Sequence, residues 1–301
     1  MITPRTPIVD GAVARHYDDL DRFYRELWGE HVHHGLWTSG EETPAEAALA
    51  LAHLVGARAG AAPGRRVCDV GCGYGGTARL LADHYGAVVT GLTVSRAQYD
   101  HAVHVDPHRH NPSYVLRDWL DNRLPTASFD AVVAIESTEH MPDKARCVAE
   151  AARVLRPGGR LVICAWLAAE RPTPWQVRHL LEPICREGRL PGLGSEREYR
   201  ALLEAAGLVV GGAEDLTARV RRTWPVCLRR LAAGLLRDPT YRRFLLDRAH
   251  GDRVFALTML RIWRAYAVGA MRYVVLTGVK PLNGDGVGRR TLGRQELGTR
   301  N

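Results

Sequence analysis

The stretch Arg66-Val-Cys-Asp-Val-Gly-Cys-Gly-Tyr-Gly-Gly76 decides how this chain folds. Val67, Cys68 and Val70 have the continuous apolar character of a short strand buried on both faces, and Thr77 to Tyr85 reads as the helix that follows it. Between them Gly71, Gly73, Gly75 and Gly76 make a turn whose backbone can come close to a ligand. Glycine also serves such turns for purely steric reasons, so the motif takes its meaning from Asp69, just ahead of the first glycine. A carboxylate there repels a diphosphate lying on the turn and suits a cationic amino group. This favours S-adenosylmethionine over a dinucleotide.

Upstream, residues 1 to about 12 read as a loose arm and Val13 to Trp28 as one amphipathic helix. The segment Trp28-Gly-Glu-His-Val-His-His-Gly-Leu-Trp37 is dense in rings. His33 and His34 lack a recurrent metal-ligand spacing and read as a polar cap or substrate contact. Thr43 and Pro44 open a helix that runs to about Ala59. Downstream, strand patterns at Ala87 to Gly91, Ser113 to Arg117, Phe129 to Ile135 and Gly159 to Trp166 alternate with helices at Ser95 to Val105 and Lys144 to Leu155. A helix from Glu196 to Ala206 and strands at Leu208 to Ala213 and Met271 to Thr277 complete the set.

Alternation of this kind implies an α/β fold, a Rossmann-like sheet of seven mostly parallel strands with the ligand at the strand carboxyl ends. Residues 1–60 are expected to form an arm and helical lid, 61–214 the cofactor-binding core, and 271–282 the last core strand. The stretch 215–270, with Trp224, Phe244, Phe255, Trp263 and Tyr266, is too long for a connection and reads as a helical cap inserted between strands six and seven. The tail 283–301 is rich in glycine and arginine without periodicity and reads as disordered.

A chain of 301 residues supports a full core. Lys144 and Lys280 are the only lysines among 41 basic residues, and the arginines look dispersed, which argues against a nucleic-acid groove. Six cysteines without a C-x-x-C pair fit buried reduced thiols in a cytoplasmic protein better than disulfides or zinc. No apolar run approaches the ~18 residues of a membrane span.

These motifs resemble a known family. Asp69 to Gly76 looks like the first motif of class I S-adenosylmethionine-dependent methyltransferases, and Gly91-Leu-Thr-Val-Ser-Arg-Ala-Gln98 looks like the second motif of the branch with cyclopropane fatty acid synthases and tocopherol methyltransferases. The ring-dense segment 28–37, Glu136-Ser-Thr-Glu-His-Met-Pro-Asp-Lys144, Trp224-Pro225 and Gly278-Val-Lys-Pro281 are together similar to the gamma-tocopherol methyltransferase-like group, over roughly residues 14–282. The group methylates tocopherols, indole alkaloids and bacterial isoprenoid-derived metabolites. The resemblance implies a cofactor site of Tyr17, Gly35, Asp69, Gly71, Gly73, Thr93, Gln98, Asp118, Trp119 and Ile135. Thr93 and Gln98 stand in for the acidic ribose grip that Gly91 to Thr93 lacks, a departure that weighs against NAD. Asp118 and Trp119 look like the adenine site, with packing as the alternative for Trp119.

Methylating carbon requires a base to take a proton afterwards. Glu136, Glu139, His140 and Glu170 all follow strand ends, and His140 and Glu170 are the preferred bases. The expected acceptor is lipophilic, methylated on carbon, with an oxygen or nitrogen acceptor as the alternative. Arg219, Arg221 and Arg222 beside Trp224 read either as a clamp for a prenyl diphosphate, the one case in which Mg²⁺ could serve alongside, or as solvated residues. No resident metal is expected, and a homo-oligomer is compatible with the sequence. A nicotinamide reductase, a nucleic-acid methyltransferase and a non-methylating cyclase that keeps the cofactor fold are the competing functions.

Overall fold

The structure, a computed structural model, describes residues 1–105, 107, 110–247 and 254–282. Seven strands form one sheet in the order β3-β2-β1-β4-β5-β7-β6. They are β1 (Arg66–Val70), β2 (Val88–Thr93), β3 (Ser113–Leu116), β4 (Phe129–Ile135), β5 (Leu155–Ala168), β6 (Val209–Asp215) and β7 (Met271–Val279). The first five pair in parallel, and β7 lies antiparallel between β5 and β6. Strand order reverses at β1, between β2 and β4, so their carboxyl ends open a crevice there.

The helices in chain order are α1 (Ala12–Asp19), α2 (Asp21–Leu27), α3 (Pro44–Ala59), α4 (Gly76–Asp83), α5 (Arg96–Val105), α6 (Lys144–Val154), α7 (Pro174–Gln176), α8 (Glu182–Glu187), α9 (Glu196–Ala205), α10 (Thr217–Val220), α11 (Thr223–Arg237), α12 (Pro239–Leu246) and α13 (Phe255–Ala267). α3 begins as its sequence dictates. Thr43 and Glu46 form a reciprocal capping box with Pro44 in the first turn, and Gly60 at φ 67° ends the helix. The sheet separates two apolar layers. One gathers Val67, Val89, Val133, Val162 and Val275 with α3, α4 and the helices after β6; the other gathers Val70, Val132, Leu161 and Leu276 with α6 and α9.

Four expectations change. Val13 to Trp28 is two helices, parted at Leu20, whose φ −98° and ψ 6° leave helical geometry. The arm is tied down by a bridge between Ile2 and Leu193. β5 begins at Leu155, so Arg156-Pro-Gly-Gly159 lies inside the strand at a register shift against β4 rather than before it. A helical run that the sequence reading passed over, α7, a π-helical turn at Val177–Leu181 and α8, stands between β5 and α9. The tail 283–301 and the Phe255 side chain lie outside what is described.

Candidate active site

The crevice holds two cavities. The glycine-side cavity encloses about 590 Å³, counting its mouth, and is lined by Gly71, Gly73, Thr93, Gln98, Arg117, Trp119, Ile135 and Ser137 among others. The aromatic cavity encloses about 710 Å³ and is walled by Tyr24, Trp28, His34, Trp166, Trp224 and residues of α8 and α13. Tyr17, Val32, Glu136 and His140 line both.

Gly71 has φ 74°, and a Cβ there would lie 2.5 Å from that of Ser137, so the turn admits only glycine. Gly73, at φ 55°, has nothing within 4 Å of its missing Cβ, which leaves open space above the backbone. Asp69 is buried at the centre of the sheet, beside Gly91 and Val133, and its Oδ2 has no hydrogen-bond partner. Burial raises its carboxyl to about 7. Asp69 does not itself line the cavity; it is an orphaned acid behind the open glycine turn, and as such it fits a cationic ligand. Thr93 donates to Gln98 Oε1 at 2.8 Å, which joins the two residues expected to replace the ribose acid. The Asp18 carboxylate accepts from the Ser95 hydroxyl and the Ala97 amide at the start of α5, and this holds neighbouring Tyr17 over the crevice.

At the shared wall, His140 Nδ1–H donates to the Arg189 carbonyl at 3.4 Å, so Nε2 is a lone pair and accepts from the Tyr17 hydroxyl at 3.0 Å. Arg189 takes φ 56° to present that carbonyl. Burial, with a contribution from His16, lowers His140 to about 4, so the imidazole is neutral at pH 7. Burial likewise raises the Tyr17 hydroxyl.

Glu136 leaves β4 at φ 53°, a strained conformation for a side chain with a Cβ. Its carboxylate accepts from the His34 amide (2.7 Å), His34 Nδ1 (2.9 Å), the Tyr273 hydroxyl (2.8 Å) and Trp166 Nε1 (2.8 Å). Burial would raise this carboxyl, but the His34 side-chain and backbone hydrogen bonds hold it below the usual carboxylate range. Trp224 Nε1–H donates to His34 Nε2 at 2.8 Å. An indole nitrogen can only donate, so His34 is the neutral Nδ1–H tautomer and Glu136 is held by neutral donors rather than by an ion pair. Glu139 lies beside it, raised by burial to about 7 against the Trp166 amide that it accepts from, with charge on Glu136 adding to the rise.

Other expected site residues lie elsewhere. Gly35 is absent from the glycine-side cavity. A Cβ there would lie 2.6 Å from that of Ala47, so this glycine serves the packing of the 28–37 segment on α3. Glu170 lies past the end of β5, exposed, and accepts from the Arg197 amide in the first turn of α9 at 2.9 Å, away from both cavities. Arg222 stacks on Trp37 with its guanidinium 5.3 Å from the ring centre, and Arg219 donates to Thr38, so the arginine clamp is not assembled at the cavity. Asp118 is exposed and caps the turn that follows it through the Leu120 amide, while Arg117 and Trp119 take the wall. Trp119 is core as well, donating to the Cys147 carbonyl at 3.0 Å. Trp224 does line the aromatic cavity. Trp166, Tyr273, Arg117 and the α8 and α13 walls went unread in the sequence. Among the described residues no three His, Cys, Asp or Glu side chains gather to hold a metal, and all six cysteines are free and buried.

A family model described as a methyltransferase domain matches residues 68–163. The chain is 32% identical to the 27-O-demethylrifamycin SV methyltransferase of Amycolatopsis mediterranei over 276 residues, covering 89% of this chain and 97% of that one. It is 31% identical to the chloroplastic tocopherol O-methyltransferase of Arabidopsis thaliana over 293 residues, covering 90% of this chain and 82% of the other. The chain belongs to the class I S-adenosylmethionine-dependent methyltransferases, in the tocopherol methyltransferase-like group. Among solved structures, the [4+2]-cyclase SpnF superposes with a TM-score of 0.78 at 26% identity, covering 94% of this chain and all of that one. The methyltransferase therefore uses S-adenosylmethionine, and the orphaned Asp69 and the open glycine turn suit that cofactor's amino group and methionine backbone. No helix among the described residues is long and apolar enough to cross a membrane.

Proposed function

We propose that this methyltransferase methylates a hydroxyl oxygen of an uncharged, lipophilic small molecule held in the aromatic cavity. The observation that carries the reading is the Tyr17–His140 pair on the wall common to both cavities, where the imidazole is neutral and its lone pair already faces the tyrosine proton. S-adenosylmethionine, when bound, supplies an electrophilic methyl group on a sulfonium. As the acceptor oxygen attacks, the Tyr17 oxygen takes the acceptor's proton and passes its own to His140 Nε2, so no charge is left on the tyrosine. Asp69, Gly71, Gly73, Thr93, Gln98, Trp119 and Ile135 bind and orient the cofactor. Residues 1–60 and the helices α10 to α13 exclude water as lid and cap, which keeps the reacting atoms in line.

Acceptor charge follows from the aromatic cavity walls, which carry Glu136, Glu139 and Glu187 and no lysine or arginine. A diphosphate would face these carboxylates without a counter-charge. This favours a prenylated phenol or a hydroxylated natural product, an acceptor that needs no Mg²⁺. Carbon methylation, expected from the sequence, is the second reading. It is favoured by the Tyr24, Trp28, Trp166 and Trp224 rings, which can face a cationic intermediate. A cytoplasmic location belongs to the same proposal, and cell fractionation checks it.

The test is a screen with methyl-labelled cofactor across prenylated quinols, hydroxylated macrocycles, indoles and prenyl diphosphates, followed by mass-spectrometric placement of the label. An O-methyl product that disappears in His140→Ala supports the reading. Label on carbon only, or on prenyl diphosphates only, refutes it.

A further inference from the structure

Helix α13 is apolar on two opposite sides. Thr258, Met259 and Ile262 line the aromatic cavity, while Leu257, Leu260 and Trp263, spaced three residues apart, are 45, 46 and 46% exposed. Such an outward stripe would ordinarily be polar on a helix whose inner face already packs against the protein. α11 packs on both α12 and α13; Leu236 lies in its last turn and Leu246 ends α12. These are the two most exposed large apolar side chains among the described residues, at 83 and 78%.

The same segment carries the charge. Residues 217–267 contain 12 arginines, 3 aspartates and no lysine or glutamate, a net +9 in a chain whose total is +8. The rest of the protein is thus at −1. The arginines that look dispersed along the sequence put the whole net charge on the segment 217–267.

We propose that the outward face of α11, α12 and α13 docks on an anionic lipid surface, from which the acceptor passes to the cavity on the inner side of α13. Exposed leucines and an indole at an interface, flanked by arginines, are what an anionic bilayer surface receives. The acceptor's lipophilic character rests on the function proposed above. The docking itself does not.

Full-length protein would be sedimented with vesicles of phosphatidylcholine alone and of phosphatidylcholine with phosphatidylglycerol in equal parts. The expected result is binding to the anionic vesicles only, weakened about tenfold or more as NaCl rises from about 0.05 to 0.5 M. Leu260→Glu with Trp263→Glu should abolish binding at either salt, and Arg243→Gln with Arg264→Gln should weaken it only at low salt. Both variants should keep the wild-type unfolding midpoint and calorimetric affinity for S-adenosylhomocysteine, which shows that they are folded. Equal binding to both vesicle types, or none, overturns the proposal. So does a dimer in sedimentation velocity that Trp263→Glu dissociates, because a second copy would then cover the face. Failure here leaves the labelling screen untouched, and failure of that screen leaves vesicle binding untouched.

Discussion

Replacing Asp69 with asparagine should stabilise the cofactor-free protein at neutral pH and weaken cofactor binding, two effects of opposite sign from one atom. Burial raises the Asp69 carboxyl from 3.8 to about 7, and its Oδ2 has no partner. Between these values the folded protein holds a proton that the unfolded chain has released, so stability falls as pH rises, by roughly 4 kcal/mol at most for a shift of about three pH units. This contribution is fully present below pH ~4 and gone above pH ~7. Asparagine is neutral throughout and should remove that part of the slope, leaving the one due to Glu139, whose carboxyl is raised to a similar range. Binding runs the other way, because the ionised form receives the cofactor's amino group. Wild-type affinity for S-adenosylhomocysteine should rise about tenfold from pH 6 to pH 8 as Asp69 ionises, and Asp69→Asn should lie ~1 to 3 kcal/mol weaker at pH 8 with that rise lost. Isothermal calorimetry at three pH values and urea unfolding of the apoprotein read both effects. If the variant binds as tightly as wild type with the same pH slope, Asp69 does not face the cofactor and the reasoning fails.

His140→Ala should lower kcat about a hundredfold or more while the calorimetric affinity for S-adenosylhomocysteine stays within about twofold, as for a group whose part is to take a proton rather than to hold the cofactor. Trp224→Phe removes the one donor on buried His34 Nε2 and should cost ~1 to 3 kcal/mol in chemical unfolding; no change would mean that the pair is not formed. Arg222→Ala should lose ~0.5 to 1 kcal/mol of stability with its stacking on Trp37 and leave KM for the acceptor unchanged, as should added chelator. A steep rise in KM would restore the clamp. Glu170→Ala should keep full turnover, since its carboxylate serves the first turn of α9.

The cofactor half was legible because its signals are local. Asp69, Gly71 and Gly73 sit within five residues, and Thr93 and Gln98 within six, so the strand, turn and helix that order them can be read from one stretch each. The acceptor half is assembled from distant parts. Tyr273 meets Glu136 only because β7 turns antiparallel beside β5, and Trp166 reaches it only from the far end of a strand that runs to Ala168. Neither residue carries a spacing that announces this. Glu170 was misread for a related reason: the chain has left the sheet by then, and its carboxylate answers the nearer call of a helix amide. Arg222 looked free because cation–π stacking on Trp37 is a tertiary contact between segments 185 residues apart in numbering. The break at Leu20 has no glycine or proline to mark it.

The place of β7 bears on how the protein can be made. β6 leaves the ribosome before β7 but has no neighbour in the sheet except β7, and β5 on its far side waits for the same strand. Until residue 279 has emerged, a nascent chain holds two unsatisfied strand edges and a buried Glu136 without its Tyr273 donor. The cofactor crevice is encoded early, yet its final support arrives almost last. Chains cut short after β6 are therefore substrates for chaperones and aggregation rather than smaller working enzymes.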